Sequence, residues 1–354
     1  MDQKAVQNAL NTIREIKGSH TFYDIHVHPF EVMFDACQYR HSPGYDGLYC
    51  SSSSTYKAPE ITEVNLHQDL AKPGETLDPK YRAMACLLNA RRFYSHTGPV
   101  VFADQMALCG IDKVLLLPVM AENESGEAQM NAMCRMFGQS DKFMTAYSVP
   151  NDIPNDDVDA QMGRIVAKYN VRALKIHPSV TGIDLGCQKG IDRVESLLAA
   201  ANNNGLKVVI HGGKSPNCKN SQAISYGIIQ NLRNIDWSII SEPVIIAHGG
   251  CFGYGYEEAK ETIVPILLNL FESHDHLSFD TSAIGIELLS HLFERFDSKR
   301  ILFGSDALYE KQWISILKLW CGLTLSNKKL EKSLLDILCL NAIKIFEVKK
   351  VMSI

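Results

Sequence analysis

Eight short β-rich runs separated by helix-length segments constrain this chain more than any other feature. The runs span residues 21–27, 112–119, 143–149, 171–177, 207–211, 243–248, 276–280 and 300–304. The segments between them are long enough to carry the chain back for parallel pairing, which a tight hairpin cannot do. Eight such strands, each followed by a helix, are the number that closes an α/β sheet into a (β/α)8 TIM barrel and leaves no edge exposed. A doubly wound open sheet could use the same elements, but it would keep two edges. The reading is one barrel domain over residues 1–354.

Two stretches depart from the repeat. Roughly eighty residues separate the first two runs, far beyond an ordinary βα loop. This insertion, about residues 31–100, is expected to cap the site, with irregular chain over 37–59 and a helix over 77–94. From Tyr309 onward the pattern reads as helices that close the barrel, the last containing Asn341 to Phe346.

Charge excludes some classes of partner. A net charge of -5 and a pI near 6.2 give no basic footprint for nucleic acid or anionic membrane. No apolar run is long enough to span a bilayer, and residues 1–17 mix charges with apolar residues at helical spacing, unlike a signal peptide. A cytoplasmic protein acting on a small molecule is expected; a monomer and a homo-oligomer are both compatible. The ten cysteines form no C-x-x-C pair. Cys86, Cys109, Cys134 and Cys339 lie in apolar, helix-like stretches that suit buried free thiols, while a Cys37–Cys50 disulfide stays open.

The chemistry concentrates at the ends of the runs. In Asp24-Ile25-His26-Val27-His28-Pro29, strict alternation would turn Asp24, His26 and His28 to one face, so two imidazoles converge. Neutral imidazole suits zinc and its neighbours in the first transition row. Alone, H-x-H also fits two unrelated histidines at a strand end. Histidines recur, however, at the ends of the fourth, fifth and sixth runs, as His177, His211 and His248. In a barrel these ends share one rim, where active sites form. Glycines follow His211 and His248, as a sharp turn or a close backbone approach requires. The eighth run ends in Gly304-Ser305-Asp306, which places a carboxylate on the same rim, able to ligate a metal or to accept a proton.

The spaced set Asp24-x-His26-x-His28-Pro29, Lys175-x-His177-Pro178, His211, His248-Gly249-Gly250, Gly304-Ser305-Asp306 and Asn341-Ala342-x-x-x-Phe346 resembles the amidohydrolase superfamily. Within it, the likeness is to the amidohydrolase-2 branch that includes aminocarboxymuconate semialdehyde decarboxylase-like enzymes. The resemblance implies that His26, His28, His211 and Asp306 ligate one divalent metal, zinc first and Mn2+ or Fe2+ as alternatives. It also implies that His248 and Asp306 are catalytic, His248 acting on bound water or substrate. Lys175 sits where some superfamily members carry a carboxylated lysine that bridges two metals. Substrate binding or structural support is the preferred reading for Lys175, and His177 either binds substrate or orients a ligand. Arg40, Arg91, Arg92 and Lys214 are candidate carboxylate clamps.

Two reactions follow from this set. The first is hydrolysis of an ester, lactone or amide carbonyl of a small carboxylated substrate by metal-activated water. The alternative is non-oxidative decarboxylation. A barrel that has lost catalysis and serves as a scaffold is a third reading. A complete ligand set speaks against it, because polar groups at the rim of a core are costly to keep.

Overall fold

The computed structural model describes residues 3–28, 105–119, 125–137, 141–215, 222–307, 310 and 312–347. The expected cap and its helix, Pro29, Arg40, Cys37, Cys50, Cys86, Arg91 and Arg92 lie outside the described residues. All eight expected strands form: β1 (Tyr23–Val27), β2 (Lys113–Leu116), β3 (Phe143–Tyr147), β4 (Val171–Ile176), β5 (Lys207–Ile210), β6 (Val244–Ile246), β7 (Leu277–Asp280) and β8 (Ile301–Leu302). They pair in sequential order, every pair parallel. Several end a residue or more before the expected limit, because the rim residues have already left the ladder. Closure comes from β1 and the chain after β8: the Ile25 amide donates to the Phe303 carbonyl (2.9 Å), the Asp306 amide to the His26 carbonyl (2.9 Å) and the His28 amide to the Ala307 carbonyl (2.8 Å).

The helix α1 (Gln3–Lys17) precedes the barrel, and those that follow strands include α2 (Gly126–Phe137), α3 (Asn155–Lys168) and α4 (Gln188–Asn203). After these come α5 (Val264–Ser273), α6 (Ile286–Arg295), α7 (Gln312–Leu325), α8 (Leu330–Leu335) and α9 (Asn341–Phe346). Strand alternation sorts the apolar residues into two layers. Tyr23, Ile25, Leu115, Ala173, Val209, Ile245 and Leu302 fill the barrel interior, while Val114, Leu116, Leu174, Ile176, Val208 and Ile246 pack outward beneath the helices.

The motif around Asn341 explains how the end opposite the catalytic rim is closed. The Asn341 side-chain amide donates to the carbonyls of Ser298 (2.7 Å) and Ile301 (2.6 Å), which ties α9 to the start of β8. Ala342, Ile345 and Phe346 then join the interior cluster with Tyr23 and Ile25. The Tyr23 hydroxyl donates to Glu347 (2.6 Å). Among the described residues, no helix is long and apolar enough to cross a membrane.

Candidate metal centre

The first strand departs from strict alternation. Asp24 pairs with Val114 and Val27 with Leu116, so three steps along β1 match two along β2, a bulge that reverses side-chain parity. Asp24 therefore turns to the helix side, against the expectation that it would face inward with His26 and His28. Its carboxylate receives the Ser305 amide (3.0 Å), the Ser305 hydroxyl (2.5 Å) and the Gln312 side-chain amide (2.8 Å). Burial pushes its carboxyl up to about 6 against these hydrogen bonds, which favour the charged form. Asp24 is thus the tie that fixes Ser305 and, one residue on, Asp306.

Past the bulge, His26 and His28 face the barrel mouth, both buried. His26 Nδ1 lies 2.8 Å from Asp280 Oδ2, and His28 Nδ1 lies 2.7 Å from the Leu117 carbonyl. Both partners are acceptors, so each Nδ1 carries the proton and each Nε2 presents a lone pair. The two Nε2 atoms are only 3.0 Å apart. Asp306 Oδ1 stands 3.6 Å from one and 3.4 Å from the other. Protonation is a poor remedy for two lone pairs in such contact. Burial, then Lys175 and the neighbouring histidines, hold His26 well below the usual imidazole range, and burial with Lys175 takes His28 down to about 3. A shared cation satisfies both nitrogens and the carboxylate at once, so this donor set fits a divalent metal.

Asp306 needs a left-handed backbone to reach that point, with φ of +58°. Burial drives its carboxyl up to about 8, and the other buried acids add to the rise while Lys175 opposes it. Beneath it, Glu310 and Lys318 form a buried ion pair (2.6 Å), and the Ser315 hydroxyl spans the Glu310 carboxylate and the Ser305 carbonyl. Gly304 is what lets β8 come so close: a Cβ there would sit 2.7 Å from the His26 Cβ and 3.1 Å from the Asp280 Cγ.

The remaining rim residues arrange themselves around this group. His211 stacks on His177 with ring centroids 4.0 Å apart and meets His248 edge-on at 5.1 Å. A backbone hydrogen bond with Lys214 engages His211, and its Nε2 is buried with no hydrogen-bond partner. Donor atoms of His26, His28 and Asp306 lie within 4.8 Å of one another, as do those of His26, His248 and Asp280; His211 completes neither group. In the second group His26 Nδ1 and the His248 amide are already hydrogen-bonded to Asp280, so it reads as a hydrogen-bonded cluster. His248, at φ of +58°, donates its amide to Asp280 Oδ1 (3.0 Å).

The sequence-predicted substrate residues separate into three groups. Lys175 points into the barrel, 1% exposed, its Nζ buried without a partner; burial lowers it to about 8 while Asp280 and Asp306 hold it up. His177 caps the single turn Pro178–Thr181 and accepts the Val180 amide on Nδ1 (3.4 Å). Lys214 is already occupied, its Nζ 3.2 Å from Glu258 and 4.0 Å above the Tyr254 ring. Phe252 packs against both His211 and His248. The residues that sequence reasoning missed are Asp280 and Ser282. Asp280 could have been found by the rule that selected the histidines, since it is a buried acid at the end of a strand.

The family described as Amidohydrolase (Amidohydro_2) matches residues 118–348, more than half of the chain. No curated protein matches the sequence. Among solved structures, 5-carboxyvanillate decarboxylase LigW from Sphingomonas paucimobilis is similar over 93% of this chain and 99% of its own, at 11% identity and a TM-score of 0.55. The apo form of IDCase from Metarhizium anisopliae is similar over 92% and 97%, at 15% identity and a TM-score of 0.54. A TIM-barrel protein from Bordetella bronchiseptica covers 92% and 98%, at 16% identity and a TM-score of 0.54. At these identities the three structures speak for the shared barrel. The family match, reached independently of them, makes this chain a member of the amidohydrolase family, a metal-dependent enzyme.

Proposed function

We propose that the protein is a hydrolase acting on an ester, lactone or amide carbonyl of a small carboxylated substrate. The observation that carries this reading is the pair of Nε2 lone pairs on His26 and His28, 3.0 Å apart beside the Asp306 carboxylate at the barrel mouth. His26, His28, His211 and Asp306 would hold one divalent cation, the unpartnered Nε2 of His211 supplying the third imidazole. Zinc fits three imidazoles and a carboxylate; Mn2+ and Fe2+ fit the same donors. When bound, such a cation supplies Lewis acidity, drawing electron density from a carbonyl oxygen and making water more acidic.

The chain's own groups handle the protons. His248 is buried and held well below the usual imidazole range by burial and by His26 and His211, so its ring is neutral and able to accept. It takes a proton from the attacking water as the new carbon–oxygen bond forms, then returns it to the departing oxygen or nitrogen as the old bond breaks. Asp306, hydrogen-bonded through its backbone to His26, is the second proton-handling group. Lys175 is a buried cation without a hydrogen-bond partner, suited to a substrate carboxylate, and His177 is placed beside His211 to orient it. Arg40 and Lys214 are further candidates for that contact, Lys214 only after leaving Glu258. The protein is proposed to work in the cytoplasm.

The alternative is non-oxidative decarboxylation on the same groups, with His248 delivering the proton that replaces carbon dioxide. The neighbour named 5-carboxyvanillate decarboxylase, which shares nearly the whole barrel, supports it. Zinc-loaded protein should be screened against lactones, N-acyl compounds and aromatic or enoic carboxylates, with carbon dioxide release followed in parallel. Carbonyl cleavage without carbon dioxide supports hydrolysis. Carbon dioxide release from a carboxylate replaces it with the alternative, and turnover of none of these classes overturns both.

A further inference from the structure

The Ser282 hydroxyl stands at the junction of three functional groups, and no part of the reaction just described uses it. Ser282 is fully buried, two residues past the end of β7. Its Oγ lies 2.8 Å from His248 Nδ1 and 3.2 Å from His26 Nδ1, and it donates to Asp280 Oδ1 in a short hydrogen bond. The same carboxylate oxygen accepts the amides of His248 and Ser282, both at 3.0 Å. The other oxygen, Oδ2, meets His26 Nδ1 at 2.8 Å. One buried carboxylate therefore holds a metal-facing imidazole directly and reaches the His248 ring through a single hydroxyl.

Hydrogen-bond direction follows from this arrangement. The hydroxyl has one proton, and it goes to the carboxylate, which can only accept. Toward His248, then, Ser282 Oγ offers only a lone pair. The Ser282 carbonyl, 3.2 Å from the same Nδ1, is also an acceptor. Both contacts favour the His248 proton on Nδ1, the shorter hydroxyl contact more strongly, and leave Nε2 bare.

We infer that Ser282 is a positioning residue that relays the Asp280 charge to His248 and fixes it as the Nδ1–H tautomer, Nε2 turned toward the reacting atoms. A hydroxyl reversed to donate toward His248 would put the proton on Nε2 and leave that nitrogen unable to accept one. Asp280 prevents the reversal. This inference rests on the proposed role of His248 for its catalytic meaning, but the tautomer is a property of the folded chain whichever reaction it runs.

Nitrogen-resolved NMR of 15N-histidine-labelled protein, zinc-loaded and metal-free, tests it, with His248 assigned by comparison with H248Q. In the wild type, His248 Nδ1 should resonate as a protonated nitrogen and Nε2 as a bare one. Ser282→Ala leaves only the longer carbonyl contact, so both His248 nitrogens should move to averaged positions while His26 stays Nδ1–H and zinc content stays at one equivalent. Ser282→Thr, which keeps the hydroxyl, should restore the wild-type pattern. If the alanine variant does not fold, Ser282→Cys serves in its place, since a thiol is a much weaker partner. With a substrate in hand, Ser282→Ala should lower kcat about tenfold and change KM little. A wild-type His248 protonated on Nε2, or His248 signals unchanged when the hydroxyl is removed, overturns the relay. Failure of the substrate screen overturns the proposed reaction and leaves the tautomer result standing.

Discussion

Raising the pH from 6 to 8 should tighten zinc binding by about 50-fold, because Asp306 must lose a proton to serve as a ligand. Burial sets its carboxyl at about 8 in the metal-free protein. Two units below that value roughly 1% of the carboxyl is ionised, against about half at pH 8, which weakens apparent affinity at pH 6 by about 2.3 kcal/mol. His28 and His211, both near 3, are already neutral across this window and do not contribute. Lys175, near 8, sheds charge over the same range and adds to the slope, so the D306N variant isolates the carboxylate's part. Competition against a zinc indicator calibrated at each pH gives the affinities, and calorimetry in buffers of different ionisation enthalpy gives the protons released. D306N should bind more weakly and lose about one logarithmic unit of slope per pH unit. A wild-type affinity flat between pH 6 and 8, or the same slope in both proteins, would show that Asp306 ionisation does not control zinc binding. The sign for stability is the reverse. A carboxyl raised in the folded state contributes stability present below the usual carboxylate range and lost as pH climbs through about 8. The melting temperature of metal-free protein should therefore fall relative to zinc-loaded protein over that interval.

Gly304→Ala places a methyl 2.7 Å from the His26 Cβ, so it should cost about 1–3 kcal/mol and weaken zinc at least tenfold, measured by urea unfolding and indicator competition. Lys318→Met strands the buried Glu310 carboxylate and should lower stability by about 3–5 kcal/mol in the same unfolding assay; a loss under about 1 kcal/mol would show the ion pair to be dispensable. Lys175→Met removes a buried cation that has no hydrogen-bond partner, so the protein should stay folded and bind zinc while KM for a carboxylated substrate rises at least tenfold. An unchanged KM would remove Lys175 from substrate recognition.

The barrel was legible because burial on both faces makes each strand an apolar run, and because parallel strands bring their ends to one rim. His26, His28, His177, His211, His248 and Asp306 could be found that way without coordinates. The position of Asp24 could not. Its reversal depends on a bulge between β1 and β2, and the bulge comes from how the two strands register, which no local pattern in Asp24-Ile25-His26 reveals. Ser282 was hidden for a related reason. It lies past the end of β7 and gains its meaning only where the chain turns back on Asp280, the last residue of that strand, and meets His248 from the neighbouring one. In the sequence Gly304 is only the last residue of the eighth run, whereas the structure makes it the gap through which His26 and Asp280 approach β8.

His26, His28, His211 and Asp306 are proposed to share one cation. Anomalous diffraction at the zinc edge from crystals of the loaded protein tests it most directly. One peak is expected, about 2.0–2.2 Å from Nε2 of each of the three histidines and from an Asp306 oxygen. A peak held instead by His248 and Asp280, or none within reach of His211, would contradict it.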